Sequence, residues 1–147
     1  MQSRILICTV GTGNVDELRA SLIEPLTKSI RDGVWSKVVL LPSRLTVDNA
    51  DLLQAEIKEV PIEVIPLPEA KQEENVDDSY RHFDYVLGNL VRQGFEPKSL
   101  IADFTRGTKA MSAALVLAAI RHGLPVLRYL SGGQRDQRGM VVAGTEI

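Results

Sequence analysis

The chain has 147 residues, of which 44% are hydrophobic and 24% charged, a size and balance that predict a single globular domain (1–147) burying about 70% of the surface its unfolded chain exposes. A net charge of −2 argues against gathering long nucleic acid by bulk electrostatics, so a phosphate-bearing ligand has to be held by a local cluster. The longest uncharged apolar stretch, 110–120, is too short to span a bilayer, Arg4 interrupts the order of a secretory signal, and one cysteine allows no internal disulfide, which together predict a cytoplasmic chain that engages no membrane.

The apolar run Ile5-Leu-Ile-Cys-Thr-Val10 predicts a first strand, with Cys8 read as a small core hydrophobe. Val15, Leu18, Leu22, Ile23, Leu26 and Ile30 then recur at helical spacing, so a helix is expected over about 15–29 with Asn14 as its N-cap and Pro25 bending it. A second strand is expected over 35–41, ended by Pro42, and a helix over 50–60. Ile62 to Leu67 reads as a third strand, peripheral because Pro66 removes a ladder donor. An acid-rich loop over 69–78 leads into a helix over 76–93, where acids suit the positive helix end and Gly94 stops the chain of turns. A fourth strand over 99–104, a helix over 107–122, a fifth strand over 126–130, a Gly-rich turn over 131–138 and a sixth strand over 140–143 complete the pattern. This alternation predicts an α/β fold: a Rossmann-like, doubly wound, mainly parallel six-stranded sheet with a C-terminal hairpin, binding ligand at the carboxyl ends of its strands.

Two strand-to-helix loops fall on that edge. In Asp103-Phe-Thr-Arg-Gly-Thr-Lys-Ala-Met111, Gly107 allows close backbone approach, Thr105 and Thr108 bring hydroxyls, Arg106 and Lys109 bring positive charge, and the new helix exposes unpaired N–H groups. Cations at a helix start oppose the macrodipole, a conflict that a bound anion removes. Asp103 reads chiefly as a cap for the loop's N–H groups. The second loop, Gly11-Thr12-Gly13-Asn14, follows the first strand with similar small, polar chemistry, so both loops are placed to face one anion.

Asp16 stands where the dinucleotide fingerprint has its third glycine, and neither loop has the four-residue gap of a P-loop, so no nicotinamide cofactor and no nucleoside triphosphate hydrolysis is expected. His82 and His122 lack metal-ligand spacing, and no metal site or other cofactor is predicted. Arg135 and Arg138 read as solvated charges, with approach to a ligand over the same edge as their second role.

These residues resemble the CARF family, the CRISPR-associated Rossmann-fold sensors. The first point of likeness is Thr9-Val-Gly-Thr-Gly-Asn14; the second, more specific one is Asp103-Phe-Thr-Arg-Gly-Thr-Lys109 with Met111, similar to the family's Asp-x-Thr-x-Gly-Thr-Lys-x-Met pattern. The segment Tyr129-Leu-Ser-Gly-Gly-Gln-Arg-Asp-Gln-Arg-Gly139 is also similar, so the resemblance extends over essentially the whole chain.

The resemblance implies a homodimer whose paired upper edges bind a cyclic oligoadenylate, with cyclic tetra-adenylate expected, as a second messenger of type III CRISPR antiviral defence. Ligand-binding residues would be Thr9, Gly11, Thr12, Gly13, Asn14, Thr105, Arg106, Gly107, Thr108 and Lys109. Family members usually carry an effector domain, often a nuclease, so the resemblance implies either a sensor acting with an effector domain or effector protein, or a self-standing ring nuclease. The latter cleaves without metal by attack of a ribose 2′-hydroxyl on the adjacent phosphate, leaving a 2′,3′-cyclic phosphate, with Lys109 stabilising charge and Thr12 orienting the reacting groups. Neither histidine lies in the motifs, so that cleavage lacks an evident general base and is expected to be slow. A regulator or metabolic enzyme using the same fold for another nucleotide is the remaining alternative.

Overall fold

The computed structural model describes residues 3–12 and 22–130. Five parallel strands, β1 (Ile5–Val10), β2 (Lys37–Pro42), β3 (Ile62–Val64), β4 (Leu100–Asp103) and β5 (Val126–Arg128), form one sheet in the order β3-β2-β1-β4-β5. All six residues of β1 are buried, as expected of the central strand of a sheet covered on both faces. The alternating side chains of β1 feed two cores. Ile5 and Ile7 join the packed faces of α3 (Val76–Arg92) and α4 (Lys109–Arg121), whereas Leu6, Cys8 and Val10 join those of α1 (Glu24–Arg31) and α2 (Val47–Glu56). The α/β, doubly wound expectation therefore holds. The predicted sixth strand, the C-terminal hairpin, Arg135, Arg138 and the first part of the 15–29 helix lie outside the described residues; among the described residues five strands are found instead of the six expected.

Several boundaries shift for local reasons. The second helix starts at Val47 rather than 50, because the Ser43 N–H donates to Thr46 Oγ1 at 2.9 Å and closes a turn that starts it early; Ile57 is already extended and buried, ending it before 60. Trp35 stays outside β2 and donates its indole N–H to the Ile30 carbonyl. The third strand is an edge among the described strands, as Pro66 suggested, and ends at Val64, although Ile65 and Leu67 still donate to the Leu40 and Pro42 carbonyls. Asn75 caps α3 by accepting from the Asp78 N–H at 3.0 Å, within the predicted acid-rich entry.

The strand order also fixes where a ligand fits. Adjacent β1 and β4 send the chain to helices on opposite faces, so their carboxyl ends flank the topological switch of the sheet, the place where doubly wound folds open a crevice.

Candidate functional site at the sheet switch

The loops after β1 and β4 meet in backbone contact. A Cβ on Gly11 would lie 3.0 Å from the Gly107 N, so any side chain there would force the loops apart. Gly107 takes φ +94°, a conformation costly for other residues, and a Cβ on it would meet Thr9 Cβ at 3.3 Å and Met111 Cε at 3.4 Å. The buried Thr9 hydroxyl donates to the Arg106 carbonyl, tying the first strand to the second loop.

Much of the loop's polarity holds the loop itself. Asp103 is 2% exposed; its Oδ1 accepts from the Thr105 N–H at 2.9 Å and its Oδ2 from Arg128 Nε at 2.8 Å. Arg128 reaches on to Ser29 Oγ at 2.5 Å and lies over the Trp35 ring, so the ion pair binds the site to the α1 face. Asp103 is thus a structural cap, as its position suggested. Burial, with the nearby Asp103 charge, pushes the Cys8 thiol well above its usual range, consistent with a core residue rather than a nucleophile. Thr105 Oγ1 accepts from the Leu130 N–H at 2.9 Å. Thr108 caps α4 by accepting from the Met111 N–H at 3.1 Å, and its hydroxyl proton goes to the Glu73 carbonyl, so the donor expected to grip phosphate is committed within the protein.

The outward part of the rim is different. Thr12, Gly107 and Lys109 are exposed, and the N–H groups of Lys109 and Ala110 at the start of α4 find no acceptor among the described residues, nor does Lys109 make an ion pair among them. A cation and unpaired N–H groups at a helix start favour an anion. Arg106 is half-buried in the same loop, and Phe104 stacks with Tyr129 at 5.5 Å beside it. Gly13 and Asn14 lie outside the described residues. The structure brings Thr9, Gly11 and Thr12 to the same rim as residues 105–109.

Sequence reasoning did not single out Asn49, whose amide donates to the Gly11 carbonyl at 3.2 Å, or Thr46, whose hydroxyl donates to the Val10 carbonyl at 3.1 Å. Ser43-x-x-Thr46 was a legible turn signal; nothing local marked Asn49, because its partner is far away in sequence. Glu73 and Arg128 were missed for the same reason. The histidines sit elsewhere: His82 Nε2 lies 3.3 Å from the Ile65 carbonyl, and His122 pairs with Asp84 at 2.7 Å. Among the described residues there is no cluster of metal-ligating side chains and no helix long and apolar enough to cross a membrane.

A parallel, doubly wound sheet with two glycine-bearing loops touching at its switch defines a Rossmann-like α/β domain with an anion-suited rim. Among solved structures, the chain is similar to Csm6 from Enterococcus italicus bound to cyclic hexa-2′-fluoro-hexa-dAMP, at TM-score 0.61 and 16% identity over 90% of this chain and 34% of that one. It is also similar to Can2 from Sulfobacillus thermosulfidooxidans in complex with cyclic tetra-adenylate, at 0.59 and 14% over 86% and 31%. UDP-GlcNAc 2-epimerase from Neisseria meningitidis bound to UDP-GlcNAc gives 0.50 and 18% over 90% and 33%. The first two are CARF-domain proteins, and the fold of this chain is CARF-like. The chain spans about a third of the length of each of these proteins. No family model and no curated protein matches it.

Proposed function

We propose that residues 1–147 act as one CARF-like ligand-binding domain that takes up cyclic oligoadenylate, with cyclic tetra-adenylate the preferred ring, as a second messenger of type III CRISPR antiviral defence. The observation that carries this reading is the contact of Gly11 with Gly107 beside an exposed Lys109 and unpaired N–H groups, which makes one anion-suited rim out of two distant loops. The fold shared with Csm6 and Can2, each bound to such a ring or its analogue, supports it. In this reading Lys109 and the first N–H groups of α4 meet phosphate, Gly11 and Gly107 let the ring approach, Thr12 and Arg106 face it, and Thr9, Thr105 and Thr108 hold the loop. A homodimer presents two such rims to one symmetric ring, and an effector domain or protein receives the signal.

A second reading, metal-independent ring cleavage, is favoured by the exposure of both Thr12 and Lys109 on loops that touch. The likeness to a UDP-sugar enzyme keeps a different nucleotide as the third.

Calorimetry with cyclic tetra- and hexa-adenylate tests the first reading: heat from a ring is expected, and silence from both would end it. Affinity should fall with salt, with a log-log slope steeper by about 0.7 for each phosphate neutralised. Incubation of labelled ring in EDTA separates the readings, since linear product with a 2′,3′-cyclic phosphate marks cleavage and intact ring marks binding alone.

A further inference from the structure

The first turn of α2 grips the chain as it leaves β1. Thr46 Oγ1 donates to the Val10 carbonyl at 3.1 Å, and the Asn49 side-chain amide donates to the Gly11 carbonyl at 3.2 Å and to the Thr12 carbonyl at 3.5 Å. Three consecutive carbonyls are thus held by two side chains spaced one helical turn apart. The two side chains hold different things. Val10 is buried and ends β1, so Thr46 secures the sheet; Gly11 is half-buried and Thr12 exposed, so Asn49 acts on the loop beyond it.

The direction of these bonds decides where the loop's donors point. No peptide bond is cis among the described residues, so in the peptide joining Gly11 to Thr12 the carbonyl and the N–H face opposite ways. The Gly11 carbonyl is turned to Asn49; the Thr12 N–H is therefore turned away from α2, and it finds no acceptor among the described residues. Gly11 packs at the same time on the backbone of Gly107, two residues before Lys109, whose own N–H is unpaired among them.

We infer that Asn49 is a positioning residue that aims the Thr12 N–H at a ligand phosphate, an inference that rests on the cyclic-oligoadenylate reading. The side chain suits that task. It is neutral, so it neither draws nor repels phosphate, and its single NH2 group offers two donors, one for each carbonyl. An aspartate of the same shape would offer none. The first loop then contributes an oriented backbone donor, and the second contributes the charge of Lys109.

The test adds cyclic tetra-adenylate and cyclic hexa-adenylate to the full chain as wild type, Asn49→Leu and Asn49→Asp. In nitrogen-labelled wild type, the Thr12 amide proton is expected to move downfield on addition of ring, as an N–H does on gaining an anionic acceptor, and to move less in both variants. By calorimetry, Asn49→Leu is expected to bind about five- to tenfold more weakly, the range of one hydrogen bond, with the salt slope of the wild type because no charge has been removed. Asn49→Asp is expected to lose at least as much affinity, yet to melt at or above the wild-type temperature, since an acid in the first turn favours the helix. Wild-type binding with an unmoved Thr12 amide, or undiminished affinity in Asn49→Leu, overturns the inference and leaves the proposed function standing. A lower melting temperature in Asn49→Asp overturns it too and marks Asn49 as a folding residue. Wild-type binding of neither ring sinks the cyclic-oligoadenylate reading and the inference together.

Discussion

The inner and outer parts of the rim use the same residue types for different ends. Inside, Thr9, Asp103, Thr105 and Thr108 spend their polar atoms on Arg106, Arg128, Leu130, Met111 and Glu73, so their chemistry builds the loop. Outside, Thr12, Gly107 and Lys109 are exposed, and the N–H groups that start α4 find no acceptor among the described residues. Threonines in these two loops are therefore not equivalent: those on the sheet side shape the backbone that the exposed residues present. A mutation in the inner set should act on stability, and one in the outer set on ligand.

The largest effect expected from this division is at Asp103. Asp103→Ala leaves the Arg128 guanidinium, itself mostly buried, without its partner, and should cost about 3 kcal/mol in denaturant unfolding. A variant of undiminished stability would break the inner assignment. Lys109→Ala should reverse the pattern. Ring affinity should fall about tenfold or more, the loss of a charge-assisted contact worth about 1.5–3 kcal/mol, while the melting temperature holds or rises slightly as a cation leaves the positive helix end. Its salt slope should flatten by about 0.7, and an unchanged slope would remove Lys109 from the phosphate.

Gly107→Ala falls between the two sets. It should cost about 1–2 kcal/mol in stability, since φ +94° strains any side chain and Thr9 Cβ stands 3.3 Å away, and it should weaken ring binding through the displaced loop; thermal melts and calorimetry on one sample read both. The smallest effect sharpens the comparison from outside the rim. Burial holds the His82 imidazole below its ordinary pKa of 6.5, outweighing its Ile65 carbonyl contact, so the folded chain takes up this proton less readily than the unfolded one. Stability should thus be level above that value and decline as pH is lowered through it, and His82→Gln should flatten the decline in urea melts across pH 5–7.5 without altering ring affinity.

The sequence made the central architecture legible because β1, β2 and β4 are short, nearly continuous apolar runs and α1 and α3 carry apolar stripes. Both signals are local. Gly107 was also legible as a point of close backbone approach, whereas Thr108, expected to grip phosphate, instead caps α4. Hidden from a linear reading were the relations across the sheet: Arg128 closing on Asp103, Asn49 reaching the Gly11 carbonyl, and Glu73 resting on Thr108. None of these partners sits within one element of the other, so periodicity and turn chemistry carry no trace of them. The division between structural and exposed threonines escaped for the same reason, because exposure at the rim depends on which neighbour arrives from the next strand.

Thr9 and Arg106, joined by one hydrogen bond, stand 97 positions apart. No fragment ending short of β4 contains both halves of the rim, and closing so long a loop precedes any gain from the contacts it makes. On the cyclic-oligoadenylate reading, the rim is complete only once β4 has docked against β1, and retention of a ring would report that the centre of the sheet has closed.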